Sequence, residues 1–255
     1  MRVIDELIKV LMPGRILSIQ VGMSRTAVLV ETAEGQRCGL AASLANPEYV
    51  SRCTPSVSKA GHLLEMSTEE IIGMIESPSQ TEASIALAAI NAFLPKIKLP
   101  QTYKNATDYI REHAEEKNIA LIGHFPFIEE MQHMTKNLWV LELNPHGNDL
   151  PADAAPQIVP QADILAITAT TLINQTFEDL ISLCRKDAKV IMLGPTTPLS
   201  PVLFAHGVDV LSGSEVLDPD AVMLGVAQGA SMHQLKKEGS IRYVTILKDD
   251  FDLNS

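Results

Sequence analysis

Strand-length hydrophobic runs alternate with amphipathic segments along the second half of the chain. The runs cover residues 119–123, 138–143, 163–169, 189–194 and 208–212. Helix-like segments separate them near residues 126–134, 176–186 and 198–206. This alternation is typical of a parallel sheet with helices on both faces. It predicts a Rossmann-like, mostly parallel sheet within residues 101–255, and the apolar run 241–247 would add an edge strand.

The first half of the chain has a different pattern. A short amphipathic helix is expected before Pro13-Gly14. Strand-like runs follow at residues 16–23, 26–32 and 38–44. Short polar turns separate these runs, which predicts an antiparallel meander. Two helices are expected at 66–77 and 82–94, and the second is apolar around most of its surface, so it should be buried.

Two prolines, Pro95 and Pro100, indicate a linker after the second helix, because proline removes a donor and favours extended backbone. The sequence therefore predicts two domains, a small α+β domain at 1–100 and a Rossmann-like domain at 101–255. The length of 255 residues agrees with two domains of roughly 100–150 residues each.

Composition excludes several classes of function. Hydrophobic residues make up 46% of the chain, but no uncharged apolar run reaches the roughly 18 residues that would span a bilayer. The net charge of −11 opposes nucleic-acid binding. Three separated cysteines, Cys38, Cys53 and Cys184, fit reduced thiols better than disulfides. Acidic residues near the N-terminus, Asp5 and Glu6, argue against a signal peptide, so we expect a cytoplasmic protein.

Small polar residues follow the predicted strands, where open α/β sheets bind ligands. The candidate ligand-binding residues at this edge are Gly123, His124, Pro126, Glu142, Asn144, Thr168, Thr170, Thr171, Asn174, Gly194, Pro195, Thr196 and Thr197. Asn91 is a further candidate, because it is a polar residue on the apolar helix 82–94. Asn91 could equally satisfy a neighbouring backbone group. We expect that helix, with the strand 38–44, to close the cleft between the domains.

Two of these residues resemble parts of a nucleotide site. Glu142 lies 19 residues after Gly123, close to the roughly 20-residue spacing at which an acid meets a ribose hydroxyl. However, the turn Gly123-His124-Phe125-Pro126 is not GxGxxG, which disfavours ordinary NAD binding. His124 is either structural or a contact for an anion or metal. Glu142, Asn144 and His146 alternate along the chain, so an extended backbone would point them to one side, where they could share a cation.

Threonines are more frequent at two turns than helix capping requires. Thr170, Thr171, Thr196 and Thr197 offer hydroxyl groups that suit a phosphate, carboxylate or other oxyanion near a helix start. The sequence contains no GxSxG, Walker loop, HExxH or CxxC pattern. It therefore identifies no catalytic residues, no particular cofactor and no defined metal ligands, and whether the protein is an enzyme stays open.

The chain also resembles a known family. The segments that carry the resemblance are EASIALAAINAFLP, ALIGHFP, LWVLELNP, DILAITATTLINQTFEDL, KVIMLGPTTPLSP and GVDVLSGSEV. They are similar to a family of two-domain proteins described as "putative heavy-metal chelation". The resemblance implies an enolase N-terminal-like domain, a Rossmann-like domain and an active site where they meet. It also implies condensation or hydrolysis in the making of flavins, pterins or siderophore-like chelators, with partial likeness to Rossmann methyltransferases.

Three hypotheses of function follow. The first is binding of a small anionic or heterocyclic ligand between the domains, with a role in heavy-metal chelation or chelator metabolism. The second is a nonenzymatic protein that binds a small molecule or a metal. The third is a methyltransferase-like enzyme that uses S-adenosylmethionine, favoured by Glu142 and weakened by the single Gly123. The expected partner is a small molecule or metal, and a homo-oligomer is left open.

Overall fold

The computed structural model describes residues 1–45, 56–97 and 106–249. Helix α1 spans Val3–Lys9 and precedes three antiparallel strands, which lie side by side in chain order. These strands are β1 Gly14–Val21, β2 Arg25–Thr32 and β3 Gly35–Ala42. The predicted meander is therefore confirmed. Cys53, Pro100 and the acidic end of the chain lie outside the described residues.

Two α-helices pack against this small sheet. Helix α2 spans Thr68–Gly73 and begins with a capping box between Ser67 and Glu70. Helix α3 spans Gln80–Phe93 and buries most of its residues, as its apolar sequence predicts. It approaches β3 so closely that a Cβ atom at Gly39 would lie 2.1 Å from the carbonyl oxygen of Ala88. Only glycine permits this contact between helix and strand.

A seven-stranded sheet dominates residues 106–249. Its strands are β4 Asn118–Ile122, β5 Asn137–Glu142, β6 Leu150–Pro151, β7 Ile164–Thr168, β8 Lys189–Leu193, β9 Val210–Val216 and β10 Ile241–Leu247. Their order is β10-β9-β8-β7-β4-β5-β6, and β10 alone runs antiparallel to its neighbour. The fold is a small antiparallel sheet followed by a mostly parallel sheet, as expected. The chain changes direction across the sheet at β4, which has β5 on one side and β7 on the other.

Helices flank the seven-stranded sheet. They are α4 Ala106–His113, α5 Ile128–Met131, α6 Ala155–Ile158, α7 Phe177–Ser182, α8 Val202–Ala205, α9 Pro219–Ala227 and α10 Met232–Lys237. The segments predicted near 126–134, 176–186 and 198–206 thus form helices of only four to six residues. Strand β6 and helix α6 were not predicted, because a two-residue strand and a single helical turn leave almost no periodic pattern.

Both faces of the large sheet are buried at its centre, since alternate residues of β4, β5, β7 and β8 belong to different hydrophobic clusters. Leu165 and Ile167 of β7 join one cluster with Phe177 of α7, whereas Ile164 joins another with Ile110 of α4. The first cluster also includes residues of α1 and α3, so the core is continuous between the small and the large sheet. None of the described helices has the length and apolar character that crossing a membrane requires.

Candidate functional site

A cavity of about 530 Å³ opens at the carboxyl ends of β4, β5 and β7, and we call it the edge cavity. It lies where the strand order reverses, which is the position that open α/β sheets use for ligands. Among the residues that line it are seven of the predicted site residues: Gly123, His124, Glu142, Thr168, Thr170, Thr171 and Asn174. Half of the predicted site residues therefore line this one cavity.

The turn after β4 has a conformation that suits glycine. Gly123 has a φ of +107°, a left-handed value that other residues rarely adopt, and its N–H donates to the carbonyl of Leu141 at 3.0 Å. A Cβ atom there would also lie 3.2 Å from Thr168 Cγ2. Helix α5 begins only at Ile128, and it spans four residues, so no long helix points its N-terminus at this turn. In a pyrophosphate-binding turn, a helix starts directly after the glycines and points its N-terminus at the phosphates. The late start and the short length of α5 both differ from that arrangement.

Glu142 ends β5 and joins two turns through its carboxylate. Oε1 accepts from the backbone N–H of His124 at 2.7 Å, and Oε2 accepts from the N–H of Leu143 at 3.1 Å. Each carboxylate oxygen can accept a second hydrogen bond, so Glu142 still has acceptor capacity toward the cavity. The carboxylate therefore holds the Gly123-His124 turn against β5 as well as lining the edge cavity.

A groove beside the edge cavity shares His124 and Glu142 with it and contains a residue that no sequence pattern marked, Asp149. Its Oδ2 atom lies 3.2 Å from His124 Nδ1 and also accepts from the backbone N–H of His146 at 3.2 Å. The Asp149 side chain is only 6% exposed, whereas that of His124 is 57% exposed. Asn144 and His146 line the same groove, and Pro126 lines another groove next to it. Asp149 follows a Gly-Asn pair in a turn, so no periodic pattern marked it.

The threonines of the edge cavity bond mainly to each other and to the turn Ala169–Leu172. The hydroxyl oxygens of Thr168 and Thr170 lie 3.1 Å apart, and buried Thr171 donates to the carbonyl of Thr168 at 2.8 Å. The Asn174 Oδ1 atom accepts from the hydroxyl of Thr176 at 2.7 Å. Thr176 lies at the N-cap position of α7, but its side chain makes no capping bond. The Asn174 Nδ2 group bonds to no described residue and can donate to a ligand.

The charged side chains among the described residues that line the edge cavity are acidic. Three carboxylates line it, those of Glu142, Asp153 and Asp179, and no Lys or Arg is among its described lining residues. The remaining wall is largely apolar and includes Leu141 and Leu180. Carboxylates repel an anion at short range, while a neutral or cationic ligand avoids this cost. The edge cavity therefore fits a small molecule with apolar surface and hydrogen-bond donors.

A second cavity, of about 460 Å³, lies between the small and the large sheet, and we call it the seam cavity. Asn91, Pro195 and Thr197 line it, as do β3 and the end of α3. The predicted residues thus divide between two cavities rather than forming one site. In the part of the chain that the structure describes, no residue before 106 lines the edge cavity.

Asn91 and Thr196 connect the two sheets. The Asn91 Nδ2 group donates to the carbonyls of Leu40 and Thr196, each at 2.9 Å, and the Thr196 hydroxyl accepts from the N–H of Ala42 at 2.9 Å. Gly194 closes its own turn by accepting from the N–H of Thr197 at 3.0 Å. The polar groups of this turn are therefore used largely within the chain.

Two buried oxygens beside the seam cavity have no hydrogen-bond partner among the described residues. They are Asn91 Oδ1 and Thr197 Oγ1, and both residues line the cavity. Because Asn91 Nδ2 donates to two carbonyls, the orientation of its amide is fixed and Oδ1 must accept from another donor. Buried polar atoms usually find partners in protein, water or ligand.

The seam cavity is positively charged. Arg37, Lys96 and Arg242 line it, and Glu215 is its one carboxylate among the described residues. Glu215 accepts from Arg242 Nε at 2.7 Å and lies 3.7 Å from Lys96 Nζ. Burial lowers the pKa of Arg37, whose guanidinium donates to the Leu94 carbonyl and to Glu34. A bound anion would compensate this partly desolvated cation.

Comparison with known proteins now gives the family. Two family models, both described as "putative heavy-metal chelation", match residues 4–94 and 105–245 of the chain. The chain belongs to this family. A curated relative, an uncharacterized protein of Methanocaldococcus jannaschii, is 26% identical over 187 residues, which cover 71% of this chain and 72% of the relative.

Solved structures of two members of the heavy-metal-chelation family have the same fold. A protein of unknown function from Desulfitobacterium hafniense matches with a TM-score of 0.76 and 25% identity, and one from Pyrococcus horikoshii with 0.79 and 24%. In both cases the match covers 96% of this chain and 98% of the other. The similarity supports the fold, and it identifies no ligand or reaction.

The family description raises the question of direct metal binding. Over residues 1–45, 56–97 and 106–249, no group of three or more His, Cys, Asp and Glu side chains could hold a metal ion. Soft heavy metals prefer thiolates. However, burial raises the pKa of the Cys38 thiol to about 12 and that of Cys184 to about 11, so both stay protonated near neutral pH. These residues do not fit a resident heavy-metal site.

Proposed function

We propose that this protein binds a small heterocyclic or hydroxylated aromatic molecule in the edge cavity and acts in heavy-metal chelation through that molecule. The observation that carries the proposal is the convergence of Glu142, His124 and the Thr168–Asn174 turn on one cavity at the strand-order reversal. This position and this mixture of apolar wall and few polar groups are typical of small-molecule sites.

The residues that line the edge cavity favour binding of an organic chelator over direct binding of the metal. A chelator brings its own metal ligands, so the protein needs to recognise only the organic molecule. Carboxylate oxygens of Glu142, Asp153 and Asp179 accept from hydroxyl or N–H groups, which are frequent on chelators and on pterin-like rings. This division of roles agrees with thiols that stay protonated and with described side chains that form no metal cluster.

A thermal-shift screen tests this proposal on the whole protein. The panel contains a pterin, a flavin, catechol and S-adenosylmethionine, which is cationic at sulfur and carries ribose hydroxyls. A ligand at 100 times its dissociation constant stabilises the folded state by about 2.7 kcal/mol. We expect at least one of these compounds to raise the melting temperature. If none does so at millimolar concentration, the proposal is overturned.

A blocking variant assigns the binding to the edge cavity. Ala152 lines this cavity, so Ala152→Phe fills part of its volume and should abolish the shift. Ala33 is exposed and lies in the turn between β2 and β3, and Ala33→Phe is the matched control. A shift that survives Ala152→Phe would place the ligand elsewhere.

A second candidate function is binding of a small anion in the seam cavity. Three cationic side chains and the unpartnered Thr197 hydroxyl favour it. The anion would contact Arg37 and Thr197, while Asn91 Oδ1 would accept from a protonated group of the same ligand. Stabilisation by phosphate or citrate that Arg37→Gln removes would support this site.

A further inference from the structure

We infer that His124, oriented by Asp149, is a general base that takes a proton from the ligand in the edge cavity. The inference rests on the proposed function, because it assigns a chemical step to the same cavity. It adds a proton-transfer activity, so the site acts on its ligand instead of only holding it.

The geometry first fixes the tautomer of His124. Nδ1 lies 3.2 Å from Asp149 Oδ2, and a carboxylate can only accept, so Nδ1 carries the proton. In the neutral imidazole the other ring nitrogen, Nε2, then has a free lone pair. Nε2 makes no hydrogen bond to any residue in the described ranges, and His124 lines the edge cavity. An imidazole in this state is the usual general base of enzymes.

Asp149 has the properties of a positioning residue. Its side chain is 6% exposed, and the same Oδ2 atom accepts from the backbone N–H of His146 at 3.2 Å. The carboxylate is therefore anchored in a turn and cannot rotate away freely. The backbone of His124 is anchored as well, because its N–H donates to Glu142 at 2.7 Å. Two independent hydrogen bonds thus hold His124 beside the edge cavity.

The proton transfer is balanced within the site. An acidic O–H of the ligand bonds to Nε2, the O–H bond breaks, and the proton forms the second N–H of an imidazolium. The electron pair stays on the ligand oxygen, and no other reactant is needed. The imidazolium lies between that oxygen and the Asp149 carboxylate. The total charge of the site does not change, so the carboxylates of Glu142, Asp153 and Asp179 do not forbid the step.

The class of ligand follows from this step. An imidazole removes protons efficiently from groups whose acidity is near its own. Aromatic hydroxyl groups activated by the ring, such as those of nitrocatechols, meet this condition, whereas aliphatic alcohols do not. Loss of that proton also converts the hydroxyl group into a better metal ligand, since anionic oxygen binds cations more strongly. The step would therefore prepare a chelator for its metal.

The experiment uses 4-nitrocatechol, whose absorption spectrum shifts to longer wavelength when a hydroxyl group ionises. The spectra of the bound and the free probe are recorded at the same, near-neutral pH, and equilibrium dialysis measures binding separately. We expect the bound probe to be ionised on the wild-type protein. On His124→Gln the bound probe should be neutral, with the ionised fraction at least about tenfold lower.

Two further variants complete the test. Asp149→Asn should lower the ionised fraction while leaving the melting temperature close to that of the wild type, and Asp149→Glu should restore part of it. His133→Gln, at an exposed histidine outside the cavities, should behave as the wild type. Binding of a neutral probe to the wild type would overturn the base and leave the proposed function intact. Absence of binding to the wild type would overturn the base, while the thermal-shift panel decides the proposed function separately.

Discussion

The edge cavity and the seam cavity lie along the same carboxyl edge but differ in how the chain builds them. The edge cavity is acidic, and residues of the large-sheet region line it. The seam cavity is basic, and both sheets contribute to it. The protein carries a net charge of −11, so a cavity with three cations departs from the average surface. Neighbouring strand ends of one sheet can therefore carry cavities of opposite charge.

The largest effect is expected from breaking the connection beside the seam cavity. Asn91→Ala removes two hydrogen bonds and leaves the carbonyls of Leu40 and Thr196 without this donor. We expect a loss of about 2–4 kcal/mol in the free energy of unfolding, measured in urea, because unsatisfied buried groups cost about 1–3 kcal/mol each. Phosphate binding in the seam cavity should weaken as well, while ligand binding in the edge cavity should not.

The matched control for this variant is Asn137→Ala. Asn137 also donates through Nδ2, to Asn118 Oδ1 at 2.8 Å, but this bond is exposed. Loss of an exposed bond should change the free energy of unfolding by less than about 0.5 kcal/mol. Equal losses for the two variants would contradict a special role of Asn91 between the sheets.

Arg37→Gln tests the charge of the seam cavity. The Arg37 side chain is 15% exposed, and burial lowers its pKa, so an anion beside it should form a strong charge-assisted bond. We expect phosphate or citrate to bind about 1.5–3 kcal/mol more weakly to the variant, measured by calorimetry. Arg15→Gln is the control, because Arg15 belongs to the same small sheet but is 71% exposed and pairs with Glu31. A similar loss in both variants would indicate only a general effect of protein charge.

Glu142→Gln tests the opposite charge in the edge cavity. Gln keeps the size of the side chain and one acceptor oxygen, so part of the bonding to His124 and Leu143 survives. A ligand hydroxyl that donates to the carboxylate should bind about 1–2 kcal/mol more weakly, while phosphate binding in the seam cavity should not fall. Thermal-shift titrations of both ligands measure this contrast. A large fall in melting temperature with unchanged ligand affinity would make Glu142 purely structural.

Much of the architecture was predictable because it depends on local pattern. Strand-like runs separated by polar turns predicted the small sheet, and alternating strand and helix runs predicted the large one. The apolar run 138–143 placed Glu142 at the end of a strand, where β5 ends. The site was less predictable because it depends on contacts distant in sequence. Asn91 bonds to Thr196 across 105 residues, and the sheet order separates the turn at Thr196 from the turn at Gly123. The pairing of Asp149 with His124 likewise needs a loop whose path no periodicity encodes.

The smallest effect is expected from replacing Cys38 and Cys184, the two cysteines among the described residues. This variant distinguishes chelation through an organic ligand from direct binding of metal by the protein. Burial raises the pKa of Cys38 to about 12 and that of Cys184 to about 11. Their thiolates become abundant only as the pH rises toward these values, so at neutral pH both are poor ligands for a soft metal. We expect the double variant Cys38→Ala, Cys184→Ala to bind cadmium at pH 7 as the wild type does, measured by calorimetry without an organic ligand. Loss of stoichiometric cadmium binding in this variant would show that these thiols take the metal themselves, and that the acidic edge cavity is not needed for chelation.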